Sequence, residues 1–199
     1  MINNKKVKKP LALDAIIQDT QKINFNMTSE NDVGALLRTL AATKNNGCSF
    51  LELGTGTGMS TSWILDGMSN TDTLITMDND QTLLDIANKY LGHDERLTLV
   101  CEEGDEFIQR IYKEQKKFDF IFADTWSGKY QLLAQTLDML NIGGLYIIDD
   151  MKEQENWPEG HELKVKELLE VLNSRIDLSV INMDWSCGVL LCTKIDKGS

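Results

Sequence analysis

Proline is scarce in this 199-residue chain, occurring only at Pro10 and Pro158. With no proline- or serine-rich stretch, repeat or low-complexity segment, composition alone does not divide it. It reads as an N-terminal tail and helix over 1–26 and a single domain over 27–199, long enough to bury ~70% of its unfolded surface. Cysteine is sparse as well. Cys48, Cys101, Cys187 and Cys192 show neither Cys-x-x-Cys spacing nor the density of a disulfide scaffold, and His93 and His161 do not approach them in sequence. That argues against zinc and leaves the cysteines as small buried hydrophobes. No apolar run approaches the length of a bilayer span, so no membrane partner is expected. Positive charge is short too: 20 Lys and Arg stand against 31 Asp and Glu, a net charge of −11. Four of the lysines, Lys5, Lys6, Lys8 and Lys9, sit at the start, so the remainder is more acidic still. Such a body should not bind nucleic acid through bulk electrostatics, and the lysine-rich start reads as a solvated tail. Asp14, Gln18 and Asp19 interrupt the apolar stretch that follows, which argues against a signal peptide and makes the cytoplasm the expected location.

What the chain does have is a run of alternating glycines. Ser49 to Ser60 reads Ser-Phe-Leu-Glu-Leu-Gly-Thr-Gly-Thr-Gly-Met-Ser, a short apolar strand ending in Glu52, a glycine loop and a helix start. Glycines let the backbone turn tightly and leave no Cβ in the way of a flat polar ligand at the following helix N-terminus. Gly54, Gly56 and Gly58 give Gly-x-Gly-x-Gly, not the Gly-x-Gly-x-x-Gly of dinucleotide sites, and no lysine follows as a P-loop requires. No Arg or Lys near the loop offsets a pyrophosphate, and Glu52 would repel one. A ligand carrying an amino group and a sulfonium centre suits this loop better. The plainer alternative is a tight strand-to-helix connection.

Thr73 to Asp78 is a second apolar strand, whose closing acid lies 20 residues after Gly58. In doubly wound folds an acid there accepts from a ribose hydroxyl pair; the alternatives are a solvated turn or a helix cap. Further elements alternate along the chain. A helical face runs over Asp32–Thr43, with Ser29 through Asp32 shaped like a capping box. Helices follow around Ser60–Met68, at Leu83, Ala87, Tyr90 and Leu91, and at Phe107, Ile108, Ile111 and Tyr112. Another is expected at Tyr130, Leu133, Leu137 and Leu140, and the last at Val165 to Leu172. Strands are expected at Arg96–Cys101, Phe118–Ala123, Leu145–Ile148, Leu178–Met183 and Val189–Thr193. Continuous apolar strands separated by helices imply a parallel sheet covered on both faces. Glu52, Asp78, Asp124 and Asp149 fall at strand ends, where such sheets bind ligands. Asp124, Asp149 and Asp150 make a hard, oxygen-rich set that suits Mg²⁺ or another divalent cation.

These residues carry a resemblance. The chain is similar to class I S-adenosylmethionine-dependent methyltransferases, and more narrowly to the catechol and caffeoyl-CoA O-methyltransferases. Their Glu-Leu-Gly-x-x-x-Gly-x-Ser loop is matched by Glu52, Leu53, Gly54, Gly58 and Ser60, and their second acid by Asp78. The likeness runs from Met27 and Gly34 through Asp124-Thr-Trp126 and Tyr130 to Gly143-Gly144 and Asp149-Asp150. It implies an α/β, doubly wound, mostly parallel seven-stranded sheet of the Rossmann-like methyltransferase type with a C-terminal antiparallel hairpin. It also implies S-adenosylmethionine as cofactor and a small-molecule hydroxyl acceptor. Met27, Glu52, Gly54, Thr55, Gly56, Gly58, Ser60, Asp78, Asn79, Asp124 and Trp126 would contact the cofactor, Trp126 by packing on its adenine. Glu102, Glu103 and Asp105 fall where the family contacts the adenine amino group. Metal-dependent relatives hold a divalent ion with an acid after strand four and an Asp-Asn pair after strand five, here Asp124, Asp149 and Asp150. Two positions depart from them: Asp150 replaces asparagine, and Ser127 replaces the lysine base. Lys129, two residues on, is the remaining candidate base beside Asp124, although a solvated lysine is mostly protonated at neutral pH. Trp157-Pro158 and Trp185 are candidate walls of the acceptor pocket, and an apolar helix over Leu11–Ile23 is a candidate homodimer contact. A metal-independent methyltransferase, an NAD(P)-binding oxidoreductase and a catalytically silent binding protein remain alternatives.

Overall fold

The computed structural model describes residues 7–27, 29–153, 157 and 160–197. Lys5 and Lys6 of the expected tail, and Pro158, lie outside the described residues. Seven strands form one sheet: β1 Ser49–Leu53, β2 Thr73–Asp78, β3 Leu97–Cys101, β4 Phe118–Ala123, β5 Leu140–Ile148, β6 Leu178–Met183 and β7 Val189–Lys194. Among the described residues seven helices accompany them: α1 Leu13–Lys22, α2 Asn31–Ala41, α3 Met59–Gly67, α4 Gln81–Leu91, α5 Gly104–Lys113, α6 Leu133–Asp138 and α7 His161–Ser174. The strand order is β3-β2-β1-β4-β5-β7-β6. The pairs β2–β3, β1–β4 and β4–β5 are parallel, whereas β7 runs antiparallel to both β5 and β6. The mostly parallel seven-stranded fold with a closing hairpin is therefore as expected. Among the described residues no helix is long and apolar enough to cross a membrane.

The chain falls into two compact units, Met1–Cys48 with Gly54–Glu102, and Ser49–Leu53 with Glu103–Ser199. In the first, α1 is amphipathic and turns Leu13 and Ile16 fully inward. Asp19 on its polar side accepts from Lys89 Nζ and Tyr90 Oη of α4, both at 2.6 Å. The bond from Lys22 first, and then these two, hold the Asp19 carboxyl well below the usual carboxylate range. Of the apolar helix expected over Leu11–Ile23, Leu13 and Ile16 are thus buried within their own unit, whereas Leu11 and Ile23 at its ends stay exposed. The capping box is also corrected. Glu30, extended at φ −68° and ψ 149°, is the N-cap of α2 and makes no side-chain cap bond, so Ser29 lies one residue too early to serve.

Gly34 of α2 lies against Trp63 of α3: a Cβ built there would be 2.2 Å from Trp63 Cδ1. Trp63 is itself buried and cannot swing away without disturbing its neighbours. Gly34→Ala is expected to destabilise by about 1–3 kcal/mol despite alanine's better helix propensity. A thermal melt should fall by roughly 2–10 °C, and an unchanged melt would refute this packing.

In the second unit, β1, β4 and β5 form an apolar core, with Phe50 and Phe120 rings 5.0 Å apart and Phe118, Phe122, Ile147 and Ile148 buried around them. The helix expected from Tyr130 to Leu140 is only Leu133–Asp138. Upstream, a turn at Trp126 takes up the backbone: the N–H groups of Tyr130 and Gln131 both donate to Trp126 O, at 2.8 and 3.1 Å. Downstream, Leu140 opens β5, which begins five residues earlier than expected, its register with β4 shifting between Phe118 and Phe120. Helical spacing of leucines across a turn, a short helix and a strand start misled the periodicity there.

Candidate functional site

The glycine loop belongs to the first unit. All three of its glycines have positive φ: 104° at Gly54, 52° at Gly56 and 90° at Gly58. At Gly58 a side chain is excluded twice, by the left-handed backbone and by Ala87 Cβ and Leu91 Cδ1, each 3.0 Å from a built Cβ. Gly54 and Thr55 N–H both donate to Met77 O at 3.0 Å, tying the loop to the end of β2. Buried hydroxyls hold it from beneath: Thr55 bonds Thr76 and Thr57 bonds Thr20, each at 2.7 Å. Ser60 is buried in the first turn of α3.

Asp78 closes β2. Its Oδ2 accepts from Gly56 N–H at 2.8 Å and its Oδ1 from Asp80 N–H at 3.1 Å. The helix-cap alternative for this acid fails, because Asp80 caps α4 by accepting from Thr82 N–H at 2.8 Å. Two bonds fill about half of a carboxylate's acceptor sites, so Asp78 fixes the loop and can still accept from a ligand. Asn79 is exposed beside it. Phe25 flanks Gly56, 3.5 Å from a built Cβ, and helps line a cleft of about 470 Å³ with Ile17, Thr20, Glu30 and Met59. Met27, named from the sequence, is 76% exposed and does not line it; Phe25 was missed because nothing in its local pattern marks it.

Apart from Glu102, the remaining named site residues belong to the second unit. Glu52 is completely buried, paired in register with Phe122, and penultimate in β1, which ends at Leu53 and not at Glu52 as expected. Asp124 follows β4, its N–H donating to Leu53 O at 2.9 Å. Ser127 turns to Asp105, donating at 2.7 Å. Gly128 then reverses the chain at φ 83°, and a Cβ on it would lie 2.3 Å from Leu53 Cδ1. Tyr146 Oη pins the reversal by donating to Gly128 O at 2.5 Å. As a result the next side chain runs inward. Lys129 is 5% exposed, not solvated as the sequence suggested. Its Nζ donates to Asp149 O at 2.6 Å and Asp150 O at 3.4 Å. Burial lowers the Lys129 pKa, while the charges of Asp124, Asp150 and Asp149 oppose that shift.

The expected metal set is only partly assembled. Among the described residues, ligand atoms of Asp149, Asp150 and Cys187 lie within 4.8 Å of one another, and Asp124 is not in that group. Cys187, read from the sequence as an inert hydrophobe, donates its thiol to Asp149 Oδ1 at 2.6 Å, an oxygen that also accepts from Asp150 N–H at 2.9 Å. The antiparallel return of β7 along β5 puts it there, with Met151 N–H donating to Gly188 O at 2.9 Å. Burial keeps the Cys187 thiol protonated far above its ordinary range, and the Asp149 charge adds to the effect.

Burial also pushes the Asp149 carboxyl up to about 6, against the Cys187 bond that lowers it. An acid whose folded pKa exceeds its unfolded value of about 3.9 binds more protons folded than unfolded between the two, so its contribution to stability falls as pH rises from about 4 through about 6. Asp149→Asn should therefore gain stability relative to the parent across that window, measured by urea midpoints. A constant difference between the two proteins would contradict it.

A ring cluster completes this unit. Trp126 meets Tyr130 and His161 edge-on, with centroids 5.7 and 5.6 Å apart, and Trp157 lies 4.4 Å from His161. Tyr130 Oη and His161 Nε2 are 3.1 Å apart. Lys164 Nζ stands 4.8 Å over the Trp126 ring, which is 44% exposed. Trp185 is also partly exposed and Asp105 is engaged by Ser127. His161 was overlooked because a lone histidine opening a helix carries no spacing signal.

Residues 4–195 match a family model described as O-methyltransferase. A Mycobacterium avium protein provisionally named an O-methyltransferase is 29% identical over 120 residues, 58% of this chain and 53% of that protein. The match thus spans about half the length of the curated relatives. The O-methyltransferase from Bacillus cereus, solved with S-adenosylhomocysteine, superposes with a TM-score of 0.81 at 20% identity, covering 96% of this chain and 94% of that one. TomG from Streptomyces achromogenes, an O-methyltransferase of tomaymycin synthesis solved with S-adenosylmethionine, gives 0.78 at 19%, covering 97% and 93%. At such identities the two solved structures show a shared fold.

Proposed function

The chain belongs to the O-methyltransferase family, and from that membership we propose that it methylates a hydroxyl oxygen of a small molecule with S-adenosylmethionine as donor. The supporting observation is the bond from Gly56 N–H to Asp78, which joins a turn free of side chains to a carboxylate with acceptor capacity left. Glycines 54, 56 and 58 would let the donor lie against the backbone, Asp78 would accept from its ribose hydroxyls, and Asn79 and Ser60 would bond its polar edges. When bound, S-adenosylmethionine supplies an electrophilic methyl group, whose passage to oxygen forms a C–O bond, breaks the C–S bond and leaves the electron pair on sulfur.

Lys129 would manage the acceptor's proton. A hydroxyl of pKa near 10 is mostly neutral at pH 7. A neutral Lys129 amine has two hydrogens, which the carbonyls of Asp149 and Asp150 take, so its lone pair remains to accept the hydroxyl proton. Once protonated it keeps both carbonyl bonds and directs a third N–H at the oxygen it has just ionised. Asp124 favours that ammonium by its charge. Holding the oxygen in line for attack could supply roughly 7–11 kcal/mol of barrier reduction. The net charge of −11 supports an enzyme of small acceptors over one that engages nucleic acid.

The test is turnover of methyl-labelled S-adenosylmethionine against a panel of phenols, catechols and aliphatic alcohols. A labelled methyl ether and an equal amount of S-adenosylhomocysteine are expected. Hydride transfer from a nicotinamide cofactor, with no methyl transfer, would overturn the assignment.

A further inference from the structure

The acids expected to hold a divalent ion already have a buried lysine amine among them. Lys129 Nζ sits on the backbone oxygens of Asp149 and Asp150, at 2.6 and 3.4 Å, and is 95% buried by its 5% exposure. Burial lowers its pKa, and the charges of Asp124, Asp150 and Asp149, the same three acids, oppose that shift together with Cys187. The donor set does not fit a hard ion. Hard ions are held by oxygen ligands, with water free to complete the shell, whereas one of the three groups that converge here is the Cys187 thiol, a soft donor, and Asp124 lies outside the group. One oxygen of Asp149 already accepts from both the thiol and Asp150 N–H. An ammonium among these acids would repel a divalent ion from them.

The local chain shows how the lysine came to this place. Ser127 stands where metal-dependent relatives carry their base, and it is turned away to Asp105. Gly128 supplies the left-handed reversal that only glycine accommodates against Leu53, and the residue after it points inward. The two-residue displacement of the lysine is therefore what brings its amine onto the carbonyls after β5.

We propose that Lys129 takes the place of the divalent cation, so that this chain works without metal and its lysine holds the acceptor oxygen. The proposal rests on the methyltransferase reading for the reaction only; the occupancy of the acidic site is tested apart from it. Mn²⁺ is titrated into the whole protein by calorimetry and electron paramagnetic resonance, with S-adenosylmethionine titrated separately. The parent protein should show no saturable Mn²⁺ binding up to about 1 mM, the weak end of protein sites for divalent ions. Lys129→Ala, by uncovering the acids, should bind one Mn²⁺ at least about tenfold more tightly, a change of about 1.4 kcal/mol. Lys129→Met keeps the apolar stem and carries the same test if the alanine variant loses its cooperative melt; if neither folds, the parent titration decides. A single Mn²⁺ bound by the parent and lost in Asp149→Asn would overturn the proposal, as would folded lysine variants that bind no more tightly than the parent. Binding of S-adenosylmethionine is expected in every folded variant, and its failure would count against the donor assignment, not against the lysine.

Discussion

Lys129→Met is expected to lower kcat by about 10²–10⁴-fold, the range attributed to a positioned general base, with S-adenosylmethionine affinity changed by less than about threefold. The loss should be in kcat because the amine acts on the acceptor oxygen. A methionine fills the buried stem but offers neither a lone pair nor a charge. Lys129→Arg separates the two contributions: guanidinium keeps the charge yet cannot be deprotonated near neutral pH. If proton acceptance is the larger part, arginine should rescue little and the rising limb of the pH–rate profile should disappear. Rates within about threefold of the parent in Lys129→Met would remove the lysine from the chemistry.

Asp78→Ala is expected to weaken S-adenosylmethionine binding by about 100-fold, or ~3 kcal/mol, the worth of one to two hydrogen bonds to a charged acceptor. Part of that loss is indirect. The carboxylate also accepts from Gly56 and Asp80 N–H, so alanine loosens the glycine loop as well as removing the ribose partner. Asp78→Asn keeps one oxygen to accept from that backbone and should lose less, about tenfold. Calorimetry on both variants checks the order. Equal affinity in parent and alanine variant would withdraw the ribose assignment.

The sheet was legible because its signals are local. Thr73–Asp78, Phe118–Ala123 and Leu178–Met183 were bounded from apolar runs alone and coincide with β2, β4 and β6. The glycine loop was equally legible, since positive φ at three alternating positions leaves few residues but glycine. What escaped was set by distant partners. The inward course of Lys129 depends on Gly128 meeting Leu53, 75 residues away, and on Tyr146 pinning that turn. Cys187 becomes a donor to Asp149 only through the return of β7 along β5. Neither contact has a sequence spacing to betray it. Asp124 was grouped with Asp149 and Asp150 on charge type, strand-end position and the resemblance to metal-dependent relatives, and carboxylates at neighbouring strand ends need not converge on one point.

The donor assignment underlies the rest, and one titration addresses it directly. S-adenosylmethionine and NADH are each titrated calorimetrically into the purified chain. Saturable binding of one S-adenosylmethionine per chain, with no heat from NADH, is the predicted result. Binding of NADH with none of S-adenosylmethionine would contradict the account at its base.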